Sequence, residues 1–187
     1  MRVDNGDISI PSGLTVITGG ARSGKSALAQ KIGEAWLGQV CFVATATAGD
    51  EDMTERIARH RRERPASWTT MESPVEVASD IRGVAEDSLV IIDCVTMWIS
   101  NLLLRGFQVE KVEEAAATLS EFLGQRESPS VVVTNEVGLG IVPDNELARR
   151  YRDTLGRVNQ LIARQAGLTL FASMGQVTKL QNIEDLL

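Results

Sequence analysis

LTVITGGARSGKSALA, residues 14–29, is the stretch of this sequence that decides the fold. An apolar run leads into a glycine-rich segment with the pattern G-x-x-x-x-G-K-S, and helical periodicity follows it. The glycines let successive backbone N–H groups turn inward around phosphate oxygens, and the positive end of the following helix adds to the attraction. The stretch therefore predicts a P-loop rather than a plain glycine-rich turn, formed by Gly19, Gly20, Ala21, Arg22, Ser23, Gly24, Lys25 and Ser26.

Three polar residues predict how this loop binds its ligand. In this pattern Lys25 reaches the β- and γ-phosphates of a nucleoside triphosphate, and the Ser26 hydroxyl takes a position on magnesium. The apolar run at 89–93 ends in Asp93, and a carboxylate at the end of such a strand holds the same metal from the far side. A helix cap or a turn is the alternative role for Asp93. We expect ATP or GTP with Mg²⁺ in this site, with Lys25 acting in catalysis.

The rest of the chain alternates between apolar runs rich in β-branched residues and segments of helical periodicity. This alternation predicts an α/β P-loop NTPase fold, with a mainly parallel sheet covered by helices on both faces. Ligands of such sheets bind beyond the carboxyl ends of the strands. The predicted strands are 14–18, 40–44, 89–93, 130–134 and 168–172, and the predicted helices are 27–36, 50–64, 97–104, 109–125 and a long one after Pro143.

Length and composition restrict the classes of protein. The 187 residues suit one domain, 1–187, and the 43% hydrophobic and 24% charged content is that of an ordinary globular protein. A net charge of -6 and an aromatic content of only 4% argue against nucleic acid as a partner. Cys41 and Cys94 are too few for a metal-ligand pattern and suit a reducing compartment. Because no signal peptide or membrane span is evident, we expect a cytoplasmic protein.

The only histidine, His60, lies in the predicted helix 50–64 among five arginines, counted from Arg56 to Arg64. Met53, Ile57 and His60 follow one another at helical spacing, so the imidazole shares a face with two apolar side chains. Arginines suit a polyphosphate, and a neutral imidazole beside them can attack an α-phosphorus with pyrophosphate leaving. A structural histidine on a solvated helix is the alternative, and spacing alone does not decide between the two.

These motifs belong to four longer stretches that carry a family resemblance. They are TGGARSGKS at 18–26, FVATATAGDEDMTERIARHRRERPASW at 42–68, IIDCVTMWISNLL at 91–103 and VTNEVGLGIVPDNELARRYRDTLGRVNQ at 133–160. With them, nearly the whole chain from Leu14 onward resembles the bifunctional cobalamin-biosynthesis family adenosylcobinamide kinase / adenosylcobinamide-phosphate guanylyltransferase. The resemblance implies a RecA-like sheet and a homotrimer.

The resemblance also implies two reactions and a set of site residues. ATP or GTP phosphorylates adenosylcobinamide; GTP then guanylylates a histidine, which passes GMP to adenosylcobinamide phosphate and yields adenosylcobinamide-GDP. By position His60 is the guanylylated residue. The implied nucleotide contacts are the P-loop residues together with Ala44, Thr45, Ala46, Arg61, Arg62, Glu63, Arg64, Glu72 and Asp93.

Two segments and two competing functions stay open at this point. The loop 134–140 leaves a predicted strand at its carboxyl end, and its two glycines suit either a plain turn or contact with substrate or another subunit. The N-terminal extension, 1–13, is longer than expected before a P-loop strand and suits an added edge strand. The competing functions are a small-molecule kinase in which His60 is structural, and a non-catalytic nucleotide-binding switch.

Overall fold

The computed structural model describes residues 9–186, and within that range seven strands join one sheet. Six of the strands run parallel, and the last pairs antiparallel with its neighbour. The strands are β1 (Gly13–Gly19), β2 (Val40–Ala44), β3 (Thr69–Glu72), β4 (Leu89–Asp93), β5 (Pro129–Val133), β6 (Ala166–Ser173) and β7 (Gln176–Leu180). Their order across the sheet is β3-β2-β4-β5-β1-β6-β7.

Six α-helices connect these strands in the described range. They are α1 (Lys25–Glu34), α2 (Glu51–Glu63), α3 (Val77–Asp80), α4 (Val95–Leu104), α5 (Val109–Gly124) and α6 (Glu146–Arg164), with 3-10 turns at Ile81–Gly83 and Ile183–Leu186. None of the helices in residues 9–186 combines the length and the apolar character that a membrane crossing requires.

Alternating side chains of the strands build two apolar layers, one on each face of the sheet. In β4, Val90 and Ile92 pack into one layer, whereas Leu89 and Ile91 pack into the other. The first layer is covered by α4, α5 and α6, and the second by α1. The predicted mainly parallel sheet with helices on both faces is therefore confirmed.

The predicted element boundaries need several corrections. The helix predicted to continue to Trp36 ends at Glu34, because the chain turns there and the Trp36 N–H donates to the carbonyl of Gly33 over 3.2 Å. Trp36 then packs on the α1 layer from outside the helix. The helices predicted at 50–64, 97–104 and 109–125 span Glu51–Glu63, Val95–Leu104 and Val109–Gly124, differences of one or two residues at their ends.

Sequence patterns missed two strands and misjudged a third. The missed strands, β3 and β7, lie at the two edges of the sheet and are mostly exposed, so they lack the apolar residues that identified the buried strands. The strand predicted at 168–172 is longer, Ala166–Ser173. Of the N-terminal extension, residues 1–8 lie outside the described residues, and Ile10 is buried in the α1 layer.

Candidate nucleotide site

A cavity of about 620 Å³ opens at the carboxyl ends of the central parallel strands, where the fold predicts a ligand. The P-loop, the ends of four strands and one face of α2 surround it. The predicted site residues that line it are Ala21, Arg22, Lys25, Ser26, Ala44, Ala46, His60, Arg61, Arg64, Glu72 and Asp93. Residues from distant parts of the sequence thus share one site.

The P-loop forms one wall of this cavity, and its Gly19, Ser23 and Lys25 are buried. Gly24 adopts a φ of 103°, in the left-handed region, at the start of α1. A Cβ on Gly19 would lie 2.1 Å from the carbonyl oxygen of Ala172, so that position accepts no larger residue. The neighbouring segments hold the loop, because Glu136 N–H donates to the Gly19 carbonyl and Gly175 N–H donates to the Ser23 carbonyl.

Lys25 occupies the inside of its own loop. Its Nζ donates to the Gly20 carbonyl over 2.5 Å and to Ser23 Oγ over 3.3 Å, and only 6% of the residue is exposed. Burial lowers the pKa of this ammonium, while the nearby Cys94 and Asp93 act in the opposite direction. A buried cation with few anionic neighbours is an attractive partner for phosphate oxygens.

Asp93 ends β4 and faces the same cavity as Lys25. Burial raises the pKa of its carboxyl, although a hydrogen bond from Ser26 and the charges of His60, Arg64 and Lys25 lower it. The carboxylate and the hydroxyl are hard oxygen ligands, and Mg²⁺ is usually held by one or two such protein groups together with substrate phosphates and water. Residues 9–186 contain no cluster of three or more His, Cys, Asp or Glu that could hold a metal alone. Ser26 and Asp93 therefore fit a Mg²⁺ ion that arrives with a nucleotide.

The helix α2 forms the opposite, exposed wall. Its face with Met53, Ile57 and His60 lines the cavity, as the spacing predicted, and none of its residues is buried. The His60 side chain is 44% exposed, and its Nδ1 lies 3.8 Å from Glu63 Oε2. Asp50 caps the helix by accepting a hydrogen bond of 2.7 Å from Met53 N–H. The lone imidazole therefore stands in the same cavity as the P-loop lysine.

Two arginines of this wall have well-defined partners. The Arg64 guanidinium lies 3.8 Å from the centre of the Phe42 ring. Burial lowers the pKa of Arg64, and Asp93 raises it. Arg61 pairs with Glu72 at the end of β3. Positive charge is therefore held at the cavity edge without a nucleotide.

Some predicted site residues do not line the cavity. Thr45 is buried, donates from Oγ1 to the Cys94 carbonyl over 2.7 Å and accepts from Cys94 N–H, so it joins the ends of β2 and β4. Arg62 and Glu63 are exposed on α2, and the Glu63 carbonyl accepts from Gln30 Nε2. The P-loop residues Gly19, Gly20, Ser23 and Gly24 form the loop backbone behind the lining residues.

Sequence reasoning did not identify several residues that shape the site. Phe42 and Arg56 both line the cavity. Phe42 lies within an apolar strand and Arg56 lies among several arginines, so the sequence pattern did not single out either residue. Asn101 is buried in α4, where Nδ2 donates to the Thr45 and Pro74 carbonyls and Oδ1 accepts from Thr47. A polar amide in the middle of the apolar run WISNLL was the signal that could have identified Asn101.

Comparisons with known proteins agree with this geometry. Residues 15–180 match the family model described as cobinamide kinase / cobinamide phosphate guanyltransferase. The bifunctional adenosylcobalamin biosynthesis protein CobP of Pseudomonas aeruginosa is 42% identical over 161 residues, which cover 86% of this chain and 92% of that protein. The bifunctional adenosylcobalamin biosynthesis protein CobU of Escherichia coli is 38% identical over 82% of this chain and 91% of its own length.

Solved structures with far lower identity share the fold. An ATPase from a type III secretion system has a TM-score of 0.59 at 13% identity, covering 93% of this chain and 60% of its own. The flagellar accessory protein FlaH from Methanocaldococcus jannaschii has a TM-score of 0.52 at 16% identity, covering 91% of this chain and 77% of its own. The predicted P-loop NTPase fold is confirmed by these neighbours.

The sequence comparisons decide between the functions that the residues left open. They support a bifunctional enzyme with kinase and guanylyltransferase activities, and they do not favour a kinase alone or a non-catalytic switch. The match to the family model extends over most of the chain, from β1 to β7. The chain therefore belongs to the cobinamide kinase / cobinamide phosphate guanyltransferase family.

Proposed function

We propose that one nucleotide site carries out both reactions of this family, with His60 as the residue that accepts GMP. The observation that carries the proposal is that His60, Lys25 and Asp93 line one cavity. In the first reaction ATP or GTP phosphorylates adenosylcobinamide. In the second, GMP passes from GTP through His60 to adenosylcobinamide phosphate, giving adenosylcobinamide-GDP and pyrophosphate.

In the kinase reaction the P-loop holds the triphosphate for attack at its γ-phosphorus. Lys25 exchanges its contacts within the loop for β- and γ-phosphate oxygens, and Ser26 and Asp93 hold the magnesium ion. When bound, Mg²⁺ supplies positive charge that offsets the charge on the phosphate oxygens. The substrate hydroxyl oxygen bonds to the γ-phosphorus, the bond to the β,γ-bridging oxygen breaks, and the hydroxyl proton is released.

In the guanylyl transfer the same cradle presents the α-phosphorus to α2. The carboxylate of Glu63 lies 3.8 Å from Nδ1 of His60, and when it accepts a hydrogen bond from that nitrogen, Nε2 carries the free electron pair. That nitrogen bonds to the α-phosphorus while pyrophosphate leaves, and Arg61 and Arg64 offset its charge. A phosphate oxygen of adenosylcobinamide phosphate then bonds to the same phosphorus, the P–N bond breaks and His60 is regenerated.

The remaining predicted contacts complete the proposed site. We assign the nucleotide to the backbone of Ala44, Thr45 and Ala46 and to the α2 end, including Arg62 and Glu63. Glu72 pairs with Arg61, and a bound nucleotide competes for both groups. Glu72 ends the exposed edge strand β3 and Arg61 is exposed on α2, and exposed side chains of this kind suit a contact that forms only with ligand.

Labelling with GTP radioactive at either the α- or the γ-phosphate tests the proposal. We expect acid-labile α-label on the wild-type protein and none on His60→Ala, with kinase activity largely kept, because the imidazole forms the only bond to GMP. Glu55→Ala is the matched control, because Glu55 is exposed on the same helix and does not line the cavity. Equal α-labelling of His60→Ala and wild type would refute the role of His60, and loss of both activities would refute the division between the two reactions.

We further propose that the protein is a homotrimer. Two exposed apolar side chains, Leu104 and Leu147, line a groove between α4 and α6, and Ile141 is exposed in the loop that precedes α6. Exposed apolar surface of this kind commonly marks contact between subunits. The loop 134–140 leads into this surface, so we assign its outer part, with Leu139, to the same contact. Light scattering on the purified protein measures the assembly, and a monomeric mass would contradict it.

We also propose that residues 1–187 act as one domain in the cytoplasm. The joining of all seven described strands in a single sheet supports one domain. Both cysteines are free thiols, which suits a reducing compartment, and ATP and GTP are available there. Cell fractionation with an antibody to the protein checks the compartment.

A further inference from the structure

We propose that the side-chain amide of Asn135 binds the γ-phosphoryl group during its transfer and serves the kinase reaction but not the guanylyl transfer. The inference rests on the proposed function and adds a residue that neither the P-loop pattern nor the family resemblance supplied. Asn135 lines the cavity together with Lys25, Ser26 and Asp93. It follows β5 at its carboxyl end, beside the P-loop.

The backbone around Asn135 is fixed from three sides. Its N–H donates to Thr96 Oγ1 over 2.8 Å, and its carbonyl accepts from Asn159 Nδ2 over 3.0 Å. The next N–H, of Glu136, donates to the Gly19 carbonyl over 3.1 Å. All three bonds use backbone atoms of the 135–136 segment, so the Asn135 side chain is not needed to hold the loop. Its side-chain amide is therefore available to bind a ligand in the cavity.

The sheet register locates Asn135 relative to the P-loop and Asp93, and hence relative to the expected phosphate positions. Val133 pairs with Asp93 on one side and with Ile17 on the other, so Asn135, two residues later, lies between the end of β4 and the start of the P-loop. The strands β2 and β3, with α2 between them in the chain, lie on the other side of β4. His60 therefore approaches from the β2–β3 side, and Asn135 stands on the Lys25 side, where the terminal phosphates are expected.

The chemistry of an amide suits this place. Nδ2 is an uncharged hydrogen-bond donor, and the equatorial oxygens of the γ-phosphoryl group carry the charge that must be stabilised during transfer. Asn135 neither gives nor takes a proton. The hydroxyl oxygen bonds to the γ-phosphorus as the bond to the β,γ-bridging oxygen breaks, and that electron pair leaves with the nucleoside diphosphate. In the guanylyl transfer the bonds change at the α-phosphorus instead, so a donor at the γ-phosphate contributes little to that step.

Two substitutions at this position separate a phosphate donor from a structural residue. In Asn135→Ala the donor is lost, and we expect kcat of the kinase reaction to fall about a hundredfold, as for other single donors to a developing charge. In Asn135→Asp the size is kept but the donor becomes a carboxylate that repels the phosphate, so the kinase reaction falls further. With saturating GTP, incorporation of α-label stays within about threefold of wild type in Asn135→Ala, because the interaction serves only the other transition state. In Asn135→Asp the α-label falls further, because the carboxylate also repels the γ-phosphate of GTP, but it falls less than the kinase rate.

The controls use the same protein preparations. Thr96→Val removes the acceptor of the Asn135 N–H while keeping the amide side chain, so it reports the effect of a loosened loop. If Asn135→Asp kept the wild-type kinase rate, or if Asn135→Ala lowered α-labelling as much as kinase activity, the proposal would be wrong. Asn135→Ser serves in place of an alanine variant that does not fold. Absence of α-label on the wild-type protein would refute the histidine route alone, because the kinase rates of the Asn135 variants still decide this inference.

Discussion

The two walls of the nucleotide cavity differ in how the protein holds them. The P-loop wall contains buried residues, with Lys25 only 6% exposed, and the loop is bonded to the segments around Glu136 and Gly175. The α2 wall has no buried residue, and its His60 side chain is 44% exposed. Exposed ion pairs such as those of α2 contribute about 0–1 kcal/mol each. The P-loop is thus stabilised by contacts with the core. The proposed nucleophile, His60, lies on a helix that is stabilised mainly by its N-terminal cap and, when a nucleotide is bound, by the ligand.

The difference also appears in the electrostatics of the two walls. Burial shifts Lys25 of the P-loop wall and the neighbouring Asp93 toward their neutral forms, since the pKa of Lys25 is lowered and the pKa of Asp93 is raised. Such shifts mean that the folded protein holds these charges at a cost in stability. A bound nucleotide with its metal supplies the missing counter-charges. Lys25 and Asp93 therefore lower the stability of the folded protein but favour ligand binding, whereas the charged side chains of the α2 wall are exposed to water.

The largest effect on the two reaction rates is expected at Lys25, in the P-loop wall. In Lys25→Ala both reactions lose the cation on the β- and γ-phosphates, so we expect each rate to fall by at least about a hundredfold. The measurement is the pair of rates with GTP labelled at the γ- and the α-phosphate, compared with His60→Ala. If Lys25→Ala lowered only one rate, the two walls would not serve one shared nucleotide position.

The second prediction concerns the stability cost of Asp93. Because burial raises its folded-state pKa above the ordinary 3.8, the folded protein binds this proton more tightly than the unfolded chain does. The stabilisation by protonated Asp93 is therefore present below that ordinary value and is lost as the pH rises through the folded-state pKa. At neutral pH Asp93→Asn should unfold at a higher temperature than the wild type without nucleotide, and lose most Mg²⁺-dependent activity.

Thermal unfolding at several pH values checks this directly. The advantage of Asp93→Asn should grow as the pH rises above the ordinary pKa of 3.8, because the unfolded chain then releases a proton that the folded wild type still holds. Mg²⁺ with nucleotide should then raise the unfolding temperature of the wild type more than that of the variant. A variant that is less stable than the wild type at neutral pH, without added nucleotide, would show that the ionised carboxylate stabilises the folded protein.

The same difference between walls explains what the sequence could predict. The P-loop and Asp93 were identified from local patterns, because a cradle made of consecutive residues after a buried strand leaves a continuous signature. His60 was placed on the correct helix face by its spacing to Met53 and Ile57. Its chemistry was not readable from that spacing, because an exposed imidazole next to arginines has the same pattern whether or not it reacts.

Other features depended on contacts between distant residues. The edge strand β3 brings Glu72 to Arg61, and a four-residue exposed strand has no apolar alternation that would reveal it. Asn135 meets Thr96 and Asn159 only after three separate segments have folded together. Local patterns therefore predicted the layers of the fold and one wall of the site, and the pairing of distant polar groups needed the structure.

The smallest expected effect compares two helix caps of the same geometry. Asp50 accepts from Met53 N–H at the start of α2, and Asn145 accepts from Ala148 N–H at the start of α6, both over 2.7 Å. Replacing either residue by alanine removes about 1 kcal/mol of helix stability. The consequence should differ, because α6 buries an apolar face on the core and α2 buries none.

Asn145→Ala should therefore lower the unfolding temperature of the whole protein by about 2–4 °C, as expected for a chain of this size. Asp50→Ala should leave that temperature nearly unchanged, because opening of a helix without buried residues is a local event that does not require the core to unfold. Its effect should be seen instead as a few-fold decrease in α-labelling of His60, with the kinase rate kept. Equal losses of unfolding temperature in the two variants would mean that α2 is part of the cooperative core, and the contrast between the two walls would not hold.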